Sequence, residues 1–587
     1  MFKLLRFLKP YWWQAIILIA STGLQTWSTL QLPALMSDIV NQGIVYEDTA
    51  KIWSSGGLML VWAVLAIIGA IISSLFSSRI GTAIARDMRN ELYAKIMTFS
   101  VSEIDKYSTA SLITRTTNDV IQVQQTMVMA LSMLLRAPMM AITAIFQAIA
   151  TAPNMTWIIG LAVIVVLALV ILILAIVMPK FKIFQQLLDR ITLLTRENLT
   201  GLRVIRAFNN ESHEKRKFEV ANREITGVYL FINKVMALTS PLIMLVFNGT
   251  TLLCIWIGIT LMQENFSYLG NMMAFMQYAI QVVMSFLFLT ILLVILPRAN
   301  VSAGRINAIL RTHPKVSWHK KTEGSPASSP SVEFKNVSFT YEGAEANVLN
   351  NISLKAKAGE TLAFIGSTGS GKSTLINLIP RLYDSTSGEV LVNGVNVKDY
   401  AEDDLMKRIG YIPQRAVLFS GNIKSNITFG NIVADKVQIE KAARVSQAKE
   451  FIEKLEDEYN SHIAQGGTNV SGGQKQRLSI ARAIAKNPEI YIFDDAFSAL
   501  DLKTDAKLRQ ELKKVTENAV VLIVAQRVST IKDANEIVVL DNGKIAGKGK
   551  HYELLNTCKV YQEIVKSQFS DQEYAAELSL AKKGAHA

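Results

Sequence analysis

Thr361 to Ile379 reads TLAFIGSTGSGKSTLINLI: an apolar strand, a glycine-rich loop closing on Lys-Ser, and an apolar helical run. The loop residues Gly366, Ser367, Thr368, Gly369, Ser370, Gly371, Lys372 and Ser373 keep the spacing G-x-x-x-x-G-K-[ST] between a strand and a helix. The glycines let backbone N–H groups converge on phosphate oxygens at the positive end of a helix dipole. Lys372 is then placed to bridge the β- and γ-phosphates of ATP, and the Ser373 hydroxyl to reach Mg²⁺. Thr374 completes the nucleotide-binding set. An ordinary glycine-rich turn would not need both flanking elements.

Working outward, the strand Glu489 to Phe493 ends in Asp494-Asp495. A strand ending in acid is common, but paired with the phosphate loop it makes Asp494 a Mg²⁺ residue acting through the ion's water shell. Between the two lies Val470-Ser471-Gly472-Gly473-Gln474-Lys475-Gln476-Arg477. Short β-branched strands alternating with helical segments over 331–570 predict an α/β domain. Residues 312–330, polar and rich in Lys, Ser and Pro, read as a linker, and 571–587 as a loosely held polar tail.

Upstream the composition changes. Over the whole chain 50% of residues are hydrophobic and only 19% charged, which argues against an all-cytoplasmic enzyme. Residues 1–311 contain six apolar stretches: Tyr11 to Met36, Leu58 to Phe76, Met127 to Ile149, Trp157 to Met178, Ala237 to Met262 and Asn271 to Leu296. Each is near the ~20 residues that cross a bilayer. The first is too long for a signal peptide and no cleavage site follows it. Met1 to Lys9 is basic and amphipathic, suited to lie along a membrane surface.

Lys and Arg crowd the two long loops between spans two and three and between spans four and five. The connections near Glu47–Asp48, Pro153–Asn154 and Glu264 contain almost none. The amino terminus, the long loops and the α/β domain are therefore expected in the cytoplasm of a plasma-membrane protein. That asymmetry accounts for much of the net charge of +13, so no nucleic-acid partner is expected. Each long loop is helical in pattern, with legs of roughly 25 residues reaching about 35 Å beyond the bilayer. The two cysteines, Cys254 and Cys558, form no disulfide framework and are expected as reduced or buried thiols.

On these residues the chain resembles the ATP-binding cassette (ABC) family, whose signature reads like Ser471-Gly472-Gly473-Gln474. Six spans fused to one cassette resemble its half-transporter exporters, of the multidrug type. The resemblance implies a six-helix membrane domain with long cytoplasmic helical extensions, fused to an α/β P-loop ATPase. It also places Tyr341 against adenine and Gln414 beside Mg²⁺ and the attacking water. Ser498-Ala499-Leu500-Asp501 matches the loop through which opposed cassettes sense each other. Ser111 to Val120 and Glu197 to Glu211 match the motifs that flank the coupling helices.

Two positions depart from the family pattern. Asp495 stands where active exporters have Glu, and Gln526 where they have His. Asp withdraws its carboxylate by roughly 1 to 1.5 Å, and misplacement of that order can cost ~10²-fold in rate. Gln526 donates hydrogen bonds but has no titratable ring. Gln465, in Ser461 to Gly467, also replaces a common Glu. Each family ATP lies between one chain's phosphate loop and the other's signature. The expected partner is therefore a second half-transporter carrying Glu and His. This chain would lend it an intact signature while its own site hydrolyses ATP poorly.

The expected cargo is a hydrophobic or amphipathic small molecule, a drug or lipid. Arg136 inside span three is either a cavity residue or a snorkelling or ion-paired one. Met272, Met273, Met276, Gln277, Tyr278, Gln281 and Met284 form either an adaptable surface or ordinary packing. An ATP-gated channel or regulatory subunit is the alternative reading. An importer is disfavoured, since importers usually keep membrane and ATPase parts on separate chains.

Overall fold

The computed structural model describes residues 2–262 and 268–584, so the loop around Glu264 lies outside the described residues. The chain separates into two compact units. Unit 1 holds residues 1–97 and 109–312, and unit 2 holds 98–108 and 313–587.

Unit 1 is helical. Its elements are α1 (Trp12–Asp38), α2 (Thr49–Met97), α4 (Thr109–Thr116), α5 (Asn118–Met129), α6 (Leu135–Thr151), α7 (Thr156–Thr200), α8 (Leu202–Ala207), α9 (Glu211–Met262) and α10 (Tyr268–Arg311); α3 (Val101–Tyr107) belongs to unit 2. A π-helical turn, Ala130–Leu134, joins α5 to α6. At 1.5 Å per residue α2, α7 and α9 each run about 65 to 80 Å, against roughly 30 Å of hydrocarbon.

Among the described residues five helices are long and apolar enough to cross a membrane: Thr49–Met97, Thr109–Thr151, Pro153–Thr200, Glu211–Thr260 and Leu269–Leu289. The first expected span falls on α1, which is less apolar because it buries Gln14, Ser21, Thr22, Gln25, Thr26 and Ser28. Only part of this set is paired: Ser21 and Thr22 donate to the Leu18 carbonyl, whereas Gln14 Oε1, Thr26 Oγ1 and Ser28 Oγ have no partner among the described residues. The Thr22 and Ser73 hydroxyls are 2.9 Å apart, and Ser77 donates to the Val128 carbonyl at 2.9 Å. The α1 and α2 backbones approach so closely that a Cβ on Gly69 would lie 2.9 Å from the Gln25 nitrogen. Small residues at crossings permit this contact where lipid supplies no hydrophobic drive. Leu4 and Phe7 of the amino-terminal segment are buried, and Arg6 pairs with Glu91 of α2. The methionines of α10 divide: Met272 is buried with Tyr278, whereas Met284 is exposed. Cys254 and Cys558 are both free and buried.

Unit 2 is α/β. Its strands are β1 (Ser331–Phe339), β2 (Leu349–Lys357), β3 (Thr361–Gly366), β4 (Ser387–Val392), β5 (Val395–Asn396), β6 (Ile409–Ile412), β7 (Gly421–Asn422), β8 (His462–Ile463), β9 (Ile490–Asp494), β10 (Val520–Val524), β11 (Glu536–Asp541) and β12 (Lys544–Gly549). One sheet runs β12-β11-β3-β10-β9-β6 and is parallel except for β12. The antiparallel sheet runs β2-β1-β4-β5. The runs of fully buried Val, Ile, Leu and Phe in β3, β9 and β10 suit strands covered on both faces.

Three stretches differ from their expected character. Residues 313–330, expected as linker, are fastened to unit 2: Trp318 lies under the Arg381 guanidinium, and the Glu323 and Ala327 amides donate to Asp399 and Asn393 carbonyls at 2.8 Å. Residues 98–108 of the first long loop also belong to unit 2. The α3 residue Glu103 is 3% exposed, caps its helix through Ser100, and accepts from the Lys315 amide at 3.3 Å. Asp105 accepts from the Tyr383 hydroxyl at 3.3 Å. The polar tail is a helix, Asp571–Gly584, held by Lys532 to Glu577 and by His551, which lies 2.7 Å from the Tyr561 hydroxyl and 3.4 Å from Glu577. Residues 585–587 lie outside the described residues.

Candidate active site

Parallel strands deliver their carboxyl ends to one edge of a sheet, and ligands bind there. In unit 2 that edge gathers the ends of β3 (Gly366), β10 (Val524), β9 (Asp494) and β6 (Ile412), which are neighbours in this order. The residues that follow are the phosphate loop, Gln526, Asp495 and Gln414. A cavity of about 370 Å³ is lined by Tyr341, Thr368, Gly369, Gly371, Lys372, Ser373, Thr374, Gln414, Asp494, Asp495 and Gln526.

The loop's shape depends on its glycines. Gly371 has φ 95°, and a Cβ on Gly366 would lie 2.1 Å from the Leu540 carbonyl oxygen. Lys372 opens α11 (Lys372–Asn377), and its ammonium donates to the Gly366 and Ser367 carbonyls at 2.9 and 2.7 Å. Burial lowers the Lys372 pKa, an effect opposed by the charges of Asp495 and Asp494.

Ser373 donates to Asp494 at 2.8 Å. Asp494 is raised above the usual carboxylate range because burial disfavours its charge, against hydrogen bonds from Ser373 and Tyr411. This hydroxyl and carboxylate, with Gln414 lining the same cavity, form a hard-oxygen donor set that suits Mg²⁺. When bound, that ion would neutralise charge developing on the phosphates. Tyr411, which the sequence reading did not assign, donates to Asn377 at 3.0 Å and to Asp494 at 3.4 Å. The only signal for it was its place near the end of a buried strand.

The other side of the cavity is built differently. Asp495 has φ 49°, which Asp tolerates better than most side chains, and its amide donates to the Val524 carbonyl. The Gln414 and Gln526 side-chain amides both donate to the same oxygen, Asp495 Oδ2, at 3.2 and 3.0 Å. Ser498 donates to the Asp495 carbonyl at 2.8 Å, tying Ser498–Asp501 to this corner. Tyr341 hydrogen-bonds Thr374 at 2.9 Å and sets its ring edge-on to Tyr383, 5.4 Å away.

Ser471, Gly472, Gly473 and Gln474 do not line this cavity. They start the helix Gly472–Lys486, where Ser471 and Gln474 form a reciprocal capping box and Ser471 and Gly472 are exposed.

Comparison with known proteins finds similar chains for both units. Residues 15–286 match the family described as ABC transporter transmembrane region, and residues 349–498 the family ABC transporter. An uncharacterized ABC transporter ATP-binding protein of Mycobacterium tuberculosis is 38% identical over 96% of this chain and 97% of its own length. The ATP-dependent lipid A-core flippase of Syntrophus aciditrophicus is 31% identical over 89% and 88%. A bacterial Atm1-family ABC exporter solved with ATP bound shares the fold, with TM-score 0.79, 22% identity, and coverage of 96% of this chain and 99% of that one.

Proposed function

The chain belongs to the ABC transporter family as an exporter half-transporter, with membrane and ATPase domains fused, and on that premise we propose that it is the slow-site half of a heterodimer. In this reading the exporter is driven mainly at a composite site made from the partner's phosphate loop and this chain's signature. This chain's own phosphate loop binds ATP and retains it. The cargo is amphipathic.

The observation that carries this reading is the Asp495 carboxylate, whose Oδ2 accepts from both Gln414 and Gln526. A general base must present a lone pair to water within hydrogen-bond reach. Here the shortened carboxylate spends one oxygen on two amides, and no imidazole stands at position 526 to meet a γ-phosphate. Lys372, Ser373 and Asp494 keep the groups needed to hold Mg-ATP, and Ser471–Gln474 remain free to face another chain. ATP binding at both sites would favour closure of the two cassettes, and hydrolysis at the partner-side site would reset them.

Two experiments test this. Gentle purification of the tagged chain should bring down a stoichiometric second half-transporter whose sequence has Glu and His at the corresponding positions and an altered signature. Recovery of this chain alone, or of a partner with an intact signature, sinks the pairing. In the complex with the partner's catalytic carboxylate removed, Asp495→Glu combined with Gln526→His should raise residual ATP turnover about tenfold or more. No gain would mean that the slow chemistry has another cause.

A further inference from the structure

Arg136 is the only charged residue in the six apolar stretches, none of which contains an acid. Among the described residues it has no hydrogen-bond or ion-pair partner. It lines a cavity of about 510 Å³ within unit 1, on the α6 side next to the π-helical turn. A charge at membrane depth costs at least ~2.5 kcal/mol without compensation. Snorkelling would remove that cost, but this side chain lines a cavity of mixed polar and apolar wall.

The cavity lining holds hydroxyls and an amide that can donate to an anion, and no carboxylate. On α2, Ser73 and Ser77 are committed to Thr22 and the Val128 carbonyl. Ser74 and Ser78, one position around the helix and four residues apart, turn exposed hydroxyls to the cavity with no partner among the described residues. Gln25 of α1 also lines it. It is only 9% exposed, and its side-chain amide likewise has no described partner. Phe288, Ala70, Val128, Met133 and Ala137 form the apolar remainder.

The geometry points to a binding site for the anionic headgroup of an amphipathic molecule. A phosphate or carboxylate would be held by the Arg136 fork with Ser74, Ser78 and the Gln25 amide, and its chain would lie against Phe288. Arg is suited to such planar, bidentate recognition. This inference rests on the exporter reading above and narrows its cargo to anions. Cationic amphiphiles would meet Arg136 as a like charge.

The test uses the purified complex in discs of zwitterionic phosphatidylcholine, with oleoyl lysophosphatidate and mono-oleoylglycerol as paired probes. Wild type should bind lysophosphatidate about tenfold more tightly than the glyceride. Arg136→Gln should abolish that preference, and Arg136→Lys should retain part of it. An unchanged preference in Arg136→Gln overturns the site. So does a wild type without preference, which would mean that a carboxylate of the partner subunit occupies Arg136. If anionic phosphatidylglycerol discs erase the preference by competition, the site stands and membrane lipid is a source of its anion. Unaltered binding there supports a separate amphiphile. Vanadate-sensitive ATPase activity in the same discs tests the exporter reading independently: loss of it in wild type would sink that reading, while intact activity without anion preference sinks only the site.

Discussion

The two sides of the ATP cavity use the same sheet edge for different ends. On the phosphate side the polar groups rest in contacts that a nucleotide and its metal ion could replace. Lys372 rests on loop carbonyls that a phosphate could replace, and Ser373 and Asp494 stand together at 2.8 Å. On the water side one oxygen of Asp495 accepts from two amides. Binding and hydrolysis can therefore be lost separately, although their residues lie on neighbouring strands.

The largest effect that would break this contrast is on the phosphate side. Lys372→Ala should weaken ATP binding to this site about 100-fold, as expected when a charged donor is removed. Photolabelling of the chain with an azido-ATP would read it, and near-normal labelling would show that the loop is not the binding element. Tyr411→Phe removes the hydroxyl between Asn377 and Asp494 and should raise the Mg²⁺ concentration needed for ATP retention about fivefold. An unchanged requirement would remove Tyr411 from the metal corner. On the proposed slow-site reading, Asp495→Asn should change total turnover of the complex by less than about twofold. Abolished turnover would erase the difference between the two sides.

The smallest effect lies outside the cavity. Burial lowers the His551 pKa from 6.5, partly opposed by Glu577 of the tail helix, so the folded surroundings of the ring favour its neutral form. Folding around the ring is therefore favoured above 6.5 and weakens as pH falls below that value. Burial alone would raise Glu577, but Lys532 and His551 hold it low, so its contribution persists until more acidic pH. Amide exchange in residues 571–584 should accelerate about threefold between pH-corrected measurements at ~7.5 and ~5.5. Equal protection would show that His551 does not hold the tail.

The phosphate loop was legible because its chemistry is contiguous: eight residues, their strand and their helix are local. Asp494 was legible only beside that loop. The shared oxygen on Asp495 was not, because it depends on β6 and β10 flanking β9, and sheet order leaves no mark in spacing. The long helices could be read from apolar runs and basic loops. The buried hydroxyls of α1 explain why its hydropathy is the weakest of the six. The tail was misjudged because the partners of its polar residues are remote: Lys532 is 45 residues from Glu577, and His551 is 26. Residues 313–330 were misjudged for a similar reason. A segment rich in Lys, Ser and Pro looks unfastened until Trp318 meets Arg381.

The chain passes from unit 1 to unit 2 and back through residues 98–108 before it crosses finally near residue 312. A gene fragment beginning after the last membrane helix would encode the catalytic sheet but omit one of its tenants. It would leave the Lys315 amide without Glu103 and the Tyr383 hydroxyl without Asp105. Measurements on such a fragment would describe an incomplete body. Conversely, a protease that cut between residues 313 and 330 would not set the ATPase free, because the severed piece would still grip its borrowed helix.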